Sequence, residues 1–504
     1  MSDTVTTTPR KRRLPVLPGY EGTWHPRSST GRLRAKGPAP AGVDCLLVNP
    51  PLVYRTDMDI GTLGLPKDSL VRCINPGILS LAGWLDAQGH TVQIVDLVDT
   101  DGRLHGISEL VRASDPKVVG ISCMTGFAYG RVGDLVRLVR EAAPRALIIL
   151  GGQHVGPQAL AVIDDIPDVD GVAMYEGEWV LAEMISRVKR GEEVARLPGT
   201  AIQLADGVAV NAQYPPQIPL DEMPLPPYQL YPAYETFVPF VEESRGCFAR
   251  CEYCITPFTN EYSIRRKKVA RILEEIDYTL DAWGPRATDY PLAMLASTFG
   301  SHKGQALQLV DGIGERGVRW STELRGDSKL TNHLDRIAAS GAEGLYFGME
   351  SASPTQLRRM DKTRNAEAYL TQIRGILSRA RKLDSMLLKI GLMFYVGEDQ
   401  STLEETWSFL EEGGEDIKWV SMSPLFVFHG TPLFHRFGEY ASTYGSSLHT
   451  DGLWAEMRAY PVNPSSSMSF DDSIAFARKV EARFRTRAAH EVVFKDEDDD
   501  TRIW

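Results

Sequence analysis

Cys247, Cys251 and Cys254 sit four and three residues apart in the stretch Ser244-Arg245-Gly246-Cys247-Phe248-Ala249-Arg250-Cys251-Glu252-Tyr253-Cys254. The other cysteines, Cys45, Cys73 and Cys123, lie far away along the chain. A closed four-thiolate site would need one more cysteine close by, and none is there. Three thiolates on one short loop suit an iron–sulfur cluster with one iron left open. An open coordination position serves chemistry rather than support. The alternative is a structural zinc site completed by a histidine, and the nearest along the chain is His302. Unrelated buried thiols fit less well, because Arg245, Arg250 and Glu252 make the loop polar.

A loop of this kind needs rigid elements on either side. Before it, residues 43–190 alternate strand and helix. Strands are expected at Val43–Asn49, Thr91–Leu97, Val118–Ser122, Leu147–Leu150 and Gly171–Tyr175. Helices are expected at Ile78–Gln88, Ile107–Ala113, Tyr129–Ala142 and Trp179–Lys189. Apolar strands alternating with helices predict an α/β, doubly wound parallel sheet, Rossmann-like or flavodoxin-like. Ligands bind such sheets at the carboxyl ends of the strands. The polar and glycine-rich turns fall there: Ser122–Thr125, Gly151-Gly152-Gln153-His154 and Glu176-Gly177-Glu178.

Residues 200–211 read as a hairpin turning at Asp206-Gly207. Seven prolines between Pro215 and Pro232 predict a stiff, extended connector and a domain boundary. Residues 238–428 repeat the strand–helix alternation. Strands are expected at Val238–Glu242, Leu292–Ala296, Arg319–Leu324, Gly344–Phe347, Met386–Tyr395 and Trp419–Phe428. The five helices between them lie at Val269–Ala282, Gln305–Glu315, Leu330–Ser340, Ala366–Ala380 and Thr402–Glu411. This predicts a partial (β/α)6, TIM-like barrel with its site at the strand carboxyl ends. A further helix is expected at Asp471–Arg485. Trp454, Tyr460 and Met468 read as core or as a pocket wall. The expected divisions are 1–40, a disordered or draped segment; 41–200, the first α/β domain; 201–235, hairpin and linker; 236–435, the barrel; and 436–504, a small substrate-side region. The basic run Arg10–Arg13 and the acidic run Lys495–Asp500 read as solvated tails.

The cysteine loop resembles the Cys-x3-Cys-x2-Cys motif of radical S-adenosylmethionine (SAM) enzymes, with an aromatic residue, Tyr253, before the last cysteine. Ser244-Arg245-Gly246 and Arg265-Arg266-Lys267 resemble that family too. So do Arg325 and Asp327 after the third barrel strand, Gly348-Met349-Glu350-Ser351 after the fourth, Met360-Asp361-Lys362, Gly397-Glu398 with Thr406, and Gly430-Thr431-Pro432-Leu433. The first domain resembles the cobalamin-binding domain that precedes many radical SAM domains, on Gly120-Ile121-Ser122, Gly151–His154 and Glu176–Glu178. A response-regulator-like or nucleotide-binding domain is the alternative. The absence of Gly-x-Gly-x-x-Gly after the first strand weakens the dinucleotide version.

The resemblance implies a [4Fe-4S] cluster on Cys247, Cys251 and Cys254, with SAM on the open iron. It implies that Glu350 and Ser351 approach the SAM amino group, that Arg325 and Asp327 meet its carboxylate or ribose, and that Tyr253 keeps water from the cluster. It implies corrinoid contacts from Ser122, Thr125, Gly151, Gly152, Gln153, His154, Glu176, Gly177 and Glu178. Two departures stand out. No histidine lies between His25 and His90, so the loop at residues 50–76 supplies no imidazole to cobalt from below, and Arg72 becomes a candidate for that face. The second barrel strand ends Ser297-Thr298-Phe299-Gly300-Ser301-His302, without the family's carboxylate.

The function this implies is a cobalamin-dependent radical SAM methyltransferase. Methylcobalamin, regenerated from SAM, would methylate an unactivated carbon of a small-molecule or peptide substrate in natural-product biosynthesis. The alternatives are polar methyl transfer without a radical, a cobalamin-dependent rearrangement, cyclisation or ring contraction, and a non-enzymatic sensor. An electron donor such as flavodoxin or ferredoxin is implied, and a monomer is expected. The net charge of −11 argues against nucleic-acid binding. No apolar run approaches the roughly 20 residues that span a bilayer, so no membrane role is expected. The absence of an apolar leader and the few thiols predict the cytoplasm.

Overall fold

The computed structural model describes residues 42–52, 73–98, 104, 106–260, 262–383, 386–414, 417, 419–450 and 452–484. The expectations for residues 1–40, for Arg72 and most of its loop, and for Lys495–Asp500 lie outside them. No helix among the described residues is long and apolar enough to cross a membrane.

The first domain is built on β1 (Cys45–Asn49), β2 (Val92–Asp96), β3 (Val118–Ser122), β4 (Leu147–Gly151) and β5 (Gly171–Ala173). All five are parallel, in the order β2-β1-β3-β4-β5. Helices cover both faces, so β1 is buried at every residue and reads as an unbroken apolar run. The hairpin β6 (Thr200–Leu204) and β7 (Gly207–Asn211) is no free connector. It adds two antiparallel strands to the β5 edge and makes a seven-stranded mixed sheet.

The helix expected at Tyr129–Ala142 is two pieces, a turn at Gly126–Tyr129 and a helix at Val132–Ala142. Thr125 caps the turn through its hydroxyl, and the turn presses on the C-terminal region. A Cβ on Gly126 would stand 2.5 Å from Ala459 Cβ. A helix at Ala159–Asp165 escaped the sequence reading, being short and flanked by the 3-10 turn at Gly156–Gln158.

The proline-rich segment is tucked in rather than extended. Three 3-10 turns shape it, and two of its tyrosines are buried. Tyr231 bonds Asp96 of the first domain, while Tyr228 donates to the Phe240 carbonyl of the second at 3.0 Å. This pair rivets the two domains.

The second domain begins at β8 (Phe240–Glu242). A short antiparallel ribbon, β9 (Ser244–Gly246) and β10 (Ile264–Arg266), brackets the cysteine loop. The strands β11 (Leu292–Leu295), β12 (Trp320–Arg325), β13 (Ala342–Glu350), β14 (Leu387–Met393) and β15 (Trp419–Ser423) complete a six-stranded parallel sheet, β15-β14-β13-β12-β11-β8. It is an open, partial barrel, since β15 and β8 are its two edges. The last strand stops five residues short of the expected Phe428. Pro424 follows it and has no N–H for the ladder. Phe426–Val427 (β16) turns away to pair with β18 (Tyr460–Asn463), which also pairs with β17 (Ser447–Leu448). Trp454 packs on Phe426 and Phe470, Met468 is core, and Tyr460 lies beside His429. None of the three lines the main cavity.

Candidate functional site

The carboxyl ends of β3, β4 and β5 and the cysteine loop share one cavity of 2010 Å³ between the domains. Ser122, Gly151, Gly152, Gln153, Glu176, Gly177 and Glu178 line it from the first domain, and Cys247 and Cys254 from the second.

Each wall residue has a local cause. Ser122 ends β3 and accepts from Asn75 Nδ2 at 3.1 Å; the same amide reaches Asn49 at 3.0 Å. Gly152 has φ +110°, and a Cβ there would lie 2.5 Å from the Cys123 carbonyl oxygen, so only glycine lets the two loops touch. His154 turns away from the cavity. It is buried beside Tyr129 and Gln158. Burial, with Arg458 adding to it, pushes its pKa down to about 4, so it sits as a neutral ring. Thr125 caps its turn and is likewise off the wall.

Glu176 and Glu178 are tied to the cysteine loop. Glu178 starts the helix Glu178–Arg190 and meets Arg245 Nη1 at 2.7 Å and Ser80 Oγ at 2.7 Å. Arg245 reaches Glu176 at 3.4 Å and Glu242 at 2.9 Å, and Arg265 also bonds Glu176. Desolvation pushes Glu178 up, but Arg245 and Ser80 outweigh it and hold the carboxyl below its ordinary range.

Gly246 turns the chain into the loop at φ +91°, and a Cβ would stand 2.3 Å from the Ser263 carbonyl. The Ala249 N–H points at Cys247 Sγ at 3.4 Å. Arg325 Nη1 points at Cys251 Sγ at 3.5 Å and clamps Asp327 through two bonds of 2.9 Å. Glu252 fastens the loop: its N–H donates to the Met360 carbonyl at 2.9 Å, and its carboxylate takes the hydroxyls of Tyr440 (2.5 Å) and Tyr395 (3.3 Å) and the guanidinium of Arg436. Tyr253 lies edge-on to Tyr395. Glu350 sits at φ +71° on a bulge of β13 and bonds Lys362 Nζ at 2.9 Å. Ser351 is buried and accepts from the Ser353 N–H at 3.0 Å. Cys251, Arg325, Asp327, Glu350 and Ser351 stand off the cavity wall itself.

The thiols fit a cluster. Burial pushes Cys247 and Cys254 up, Arg325 and Lys362 pull Cys247 down, and Cys251 adds to the rise of both, so all three share one electrostatic neighbourhood. Among the described residues no three His, Cys, Asp or Glu side chains converge as ligands of a single ion. A cluster makes no such demand, because its thiolates bind separate irons. His302 is otherwise engaged: its Nδ1 accepts from the Gln305 N–H at 3.2 Å and caps the helix Lys303–Glu315. The corrinoid side fits as well, since glycine backbone, Ser122 and Gln153 share its wall with apolar residues such as Ile121, Leu150 and Met174, and no histidine among the described residues lines it.

The sequence reading passed over Arg245 and Glu252 as fastenings of the cysteine loop, because their partners lie 67 and 188 positions away. It also passed over Glu323, Tyr346, Lys389 and Trp419, which line the same cavity from inside the barrel. The period-two alternation of the strands was the signal that could have found them.

Residues 69–185 match the model of the B12 binding domain. The chain is 25% identical to an uncharacterized methyltransferase of Pyrococcus horikoshii, over 77% of this chain and 82% of that one. It is 24% identical to the cytidylyl-2-hydroxyethylphosphonate methyltransferase of Streptomyces wedmorensis, over 71% and 77%, and 25% identical to an anaerobic magnesium-protoporphyrin IX monomethyl ester cyclase of Rubrivivax gelatinosus, over 68% and 63%. Among solved structures it superimposes on the radical SAM methyltransferase TsrM of Kitasatospora setae with a TM-score of 0.65 at 16% identity, covering 81% of this chain and 78% of that one. It matches the cobalamin-dependent SAM radical enzyme OxsB with a TM-score of 0.65 at 17% identity, covering 87% and 66%. The chain therefore carries a B12 binding domain joined to a cysteine-bearing partial barrel, in the fold of the cobalamin-dependent radical SAM enzymes.

Proposed function

We propose that the protein is a cobalamin-dependent radical SAM methyltransferase that methylates an unactivated carbon of a small-molecule or peptide substrate in a biosynthetic pathway. The observation that carries this reading is the single cavity walled by B12-domain strand ends on one side and by Cys247 and Cys254 on the other. The three cysteines would hold a [4Fe-4S] cluster, and Ser122, Gly151–Gln153 and Glu176–Gly177 would cradle cobalamin. When bound, the cluster supplies the electron that cleaves SAM, and the corrinoid supplies the methyl group.

The chain's own residues position and shield. Arg325 and the Glu350–Lys362 pair lie beside Cys251, where charge-assisted hydrogen bonds can orient the carboxylate and ammonium of SAM. Glu252, Tyr395 and Tyr440 lock the loop against the barrel. Arg245 holds the two walls together, so the distance across the cavity is set by the fold rather than by a substrate. Flavodoxin or ferredoxin is the donor this chemistry calls for, and a cytoplasmic monomer is its expected setting.

Anaerobic turnover with SAM carrying a deuterated methyl group tests the proposal. A labelled methyl product with S-adenosylhomocysteine and 5′-deoxyadenosine is expected. A cyclisation or rearrangement, the second reading suggested by the cyclase relative, would release 5′-deoxyadenosine without S-adenosylhomocysteine.

A further inference from the structure

One row of side chains crosses the barrel sheet below the cysteine loop. Glu323 on β12 is in register with Tyr346 on β13, Tyr346 with Lys389 on β14, and Lys389 with Trp419 on β15. Registered residues on neighbouring strands share a face, and all four line the cavity. The row presents a carboxylate, a phenol, an ammonium and an indole in that order. Lys389 Nζ lies 4.2 Å from the Trp419 ring centroid and 5.3 Å from that of Tyr346, so the cation is held by two aromatic faces.

Glu323 differs from its neighbours. Its side chain is exposed to the cavity and has no hydrogen bond or ion pair among the described residues. Most other acids of the cavity wall are matched, with Glu235 and Asp289 outside the barrel row the exceptions: Glu176, Glu178 and Glu242 share Arg245, Glu343 meets Arg319 at 3.1 Å, and Glu350 near the row meets Lys362. The surrounding protein nonetheless desolvates Glu323 and pushes its carboxyl up; Lys389 offsets this in part, and Glu350 adds to it. A carboxylate that faces the cavity with no donor of its own is open to a charged donor brought by a ligand.

We propose that Glu323 is the specificity anchor for a basic nitrogen, so that the chamber takes a small-molecule amine whose apolar body lies along Tyr346. The inference rests on the chamber being the substrate site. An anion beside Glu323 would meet a like charge, with Lys389 already set between two aromatic faces, and a neutral hydroxyl would gain only an uncharged donor's bond.

Calorimetric titration of the reconstituted holoenzyme tests this with three probes of similar size: phenethylamine, 2-phenylethanol and 3-phenylpropionate. The amine is expected to bind at least about tenfold more tightly than the alcohol, as a charge-assisted bond warrants, with the propionate weakest. Glu323→Asp should keep the preference and Glu323→Gln should erase it, with SAM affinity unchanged in both. Equal binding of amine and alcohol, an amine that never saturates, a preference that survives Glu323→Gln, or a parallel loss of SAM affinity would overturn the assignment. These affinities need no turnover, so methyl transfer without amine preference sinks this inference alone.

Discussion

The guanidinium of Arg245, two residues before the first cysteine of the loop, lies 2.7 Å from the carboxylate of Glu178 at the start of the last helix of the B12 domain. This contact is largely buried and shared with Glu176 and Glu242, so one arginine ties together three acids from both domains, with Arg265 adding a second cation at Glu176. The cavity between them depends on that match.

Arg245→Met leaves three carboxylates around an apolar stem. The loss expected from breaking a buried ion pair is about 3–5 kcal/mol, read by urea denaturation. Glu178 adds an acid signature. Its folded pKa is held low, so its stabilisation is present above the unfolded value of about 4.3 and fades as pH falls through the folded value. Glu178→Gln should lower stability at neutral pH and flatten the acid limb, because the contribution it removes is the one that fades as pH falls.

Glu398 works in the opposite sense. It is 1% exposed, and burial, the largest cause, pushes its carboxyl up to about 7. A raised folded pKa means stability that is present below the unfolded value and lost as pH rises through 7. The change across that window is roughly 3 kcal/mol. Glu398→Gln should flatten the profile between pH 5 and pH 8. An unchanged slope would show that Glu398 titrates normally.

Gly391 is set by its neighbour across the sheet. A Cβ there would stand 2.0 Å from the Tyr346 hydroxyl and 2.6 Å from the ring carbon that bears it. Gly391→Ala should cost about 1–3 kcal/mol by forcing the phenol aside. The double variant with Tyr346→Ala should recover part of the loss attributable to the clash, which a double-mutant cycle on thermal melts would show.

His302 separates the two metal readings of the loop. Its role is a helix cap, so His302→Ala should cost about 0.5–2 kcal/mol and leave iron content unchanged. Loss of metal in that variant would restore the histidine-completed zinc site.

Much of the scaffold was legible because its signals are local. The helix Ala366–Ala380 and the strand Val118–Ser122 fall where apolar periodicity puts them. The cysteine spacing suggested a cluster because three thiols on one loop need no tertiary information. The failures have non-local or competing causes. The break before Val132 falls at Gly130 and Arg131, and the turn ahead of it lies close against Ala459, more than 300 residues away. Pro424 was a readable stop for β15 that the apolar run Leu425–Phe428 outweighed. His154 looked like part of a ligand loop, yet burial beside Tyr129 took it into the core. The row from Glu323 to Trp419 depends on strand register, which no single strand's sequence contains.

Metal and corrinoid analysis of the anaerobically reconstituted protein, by iron, zinc and cobalt assay with the absorption spectrum, tests the central claim most directly. About four irons and one cobalamin per chain are expected, with Cys251→Ser losing the iron and keeping the cobalamin. Zinc in place of iron, or a protein that takes up no corrinoid, would contradict the account.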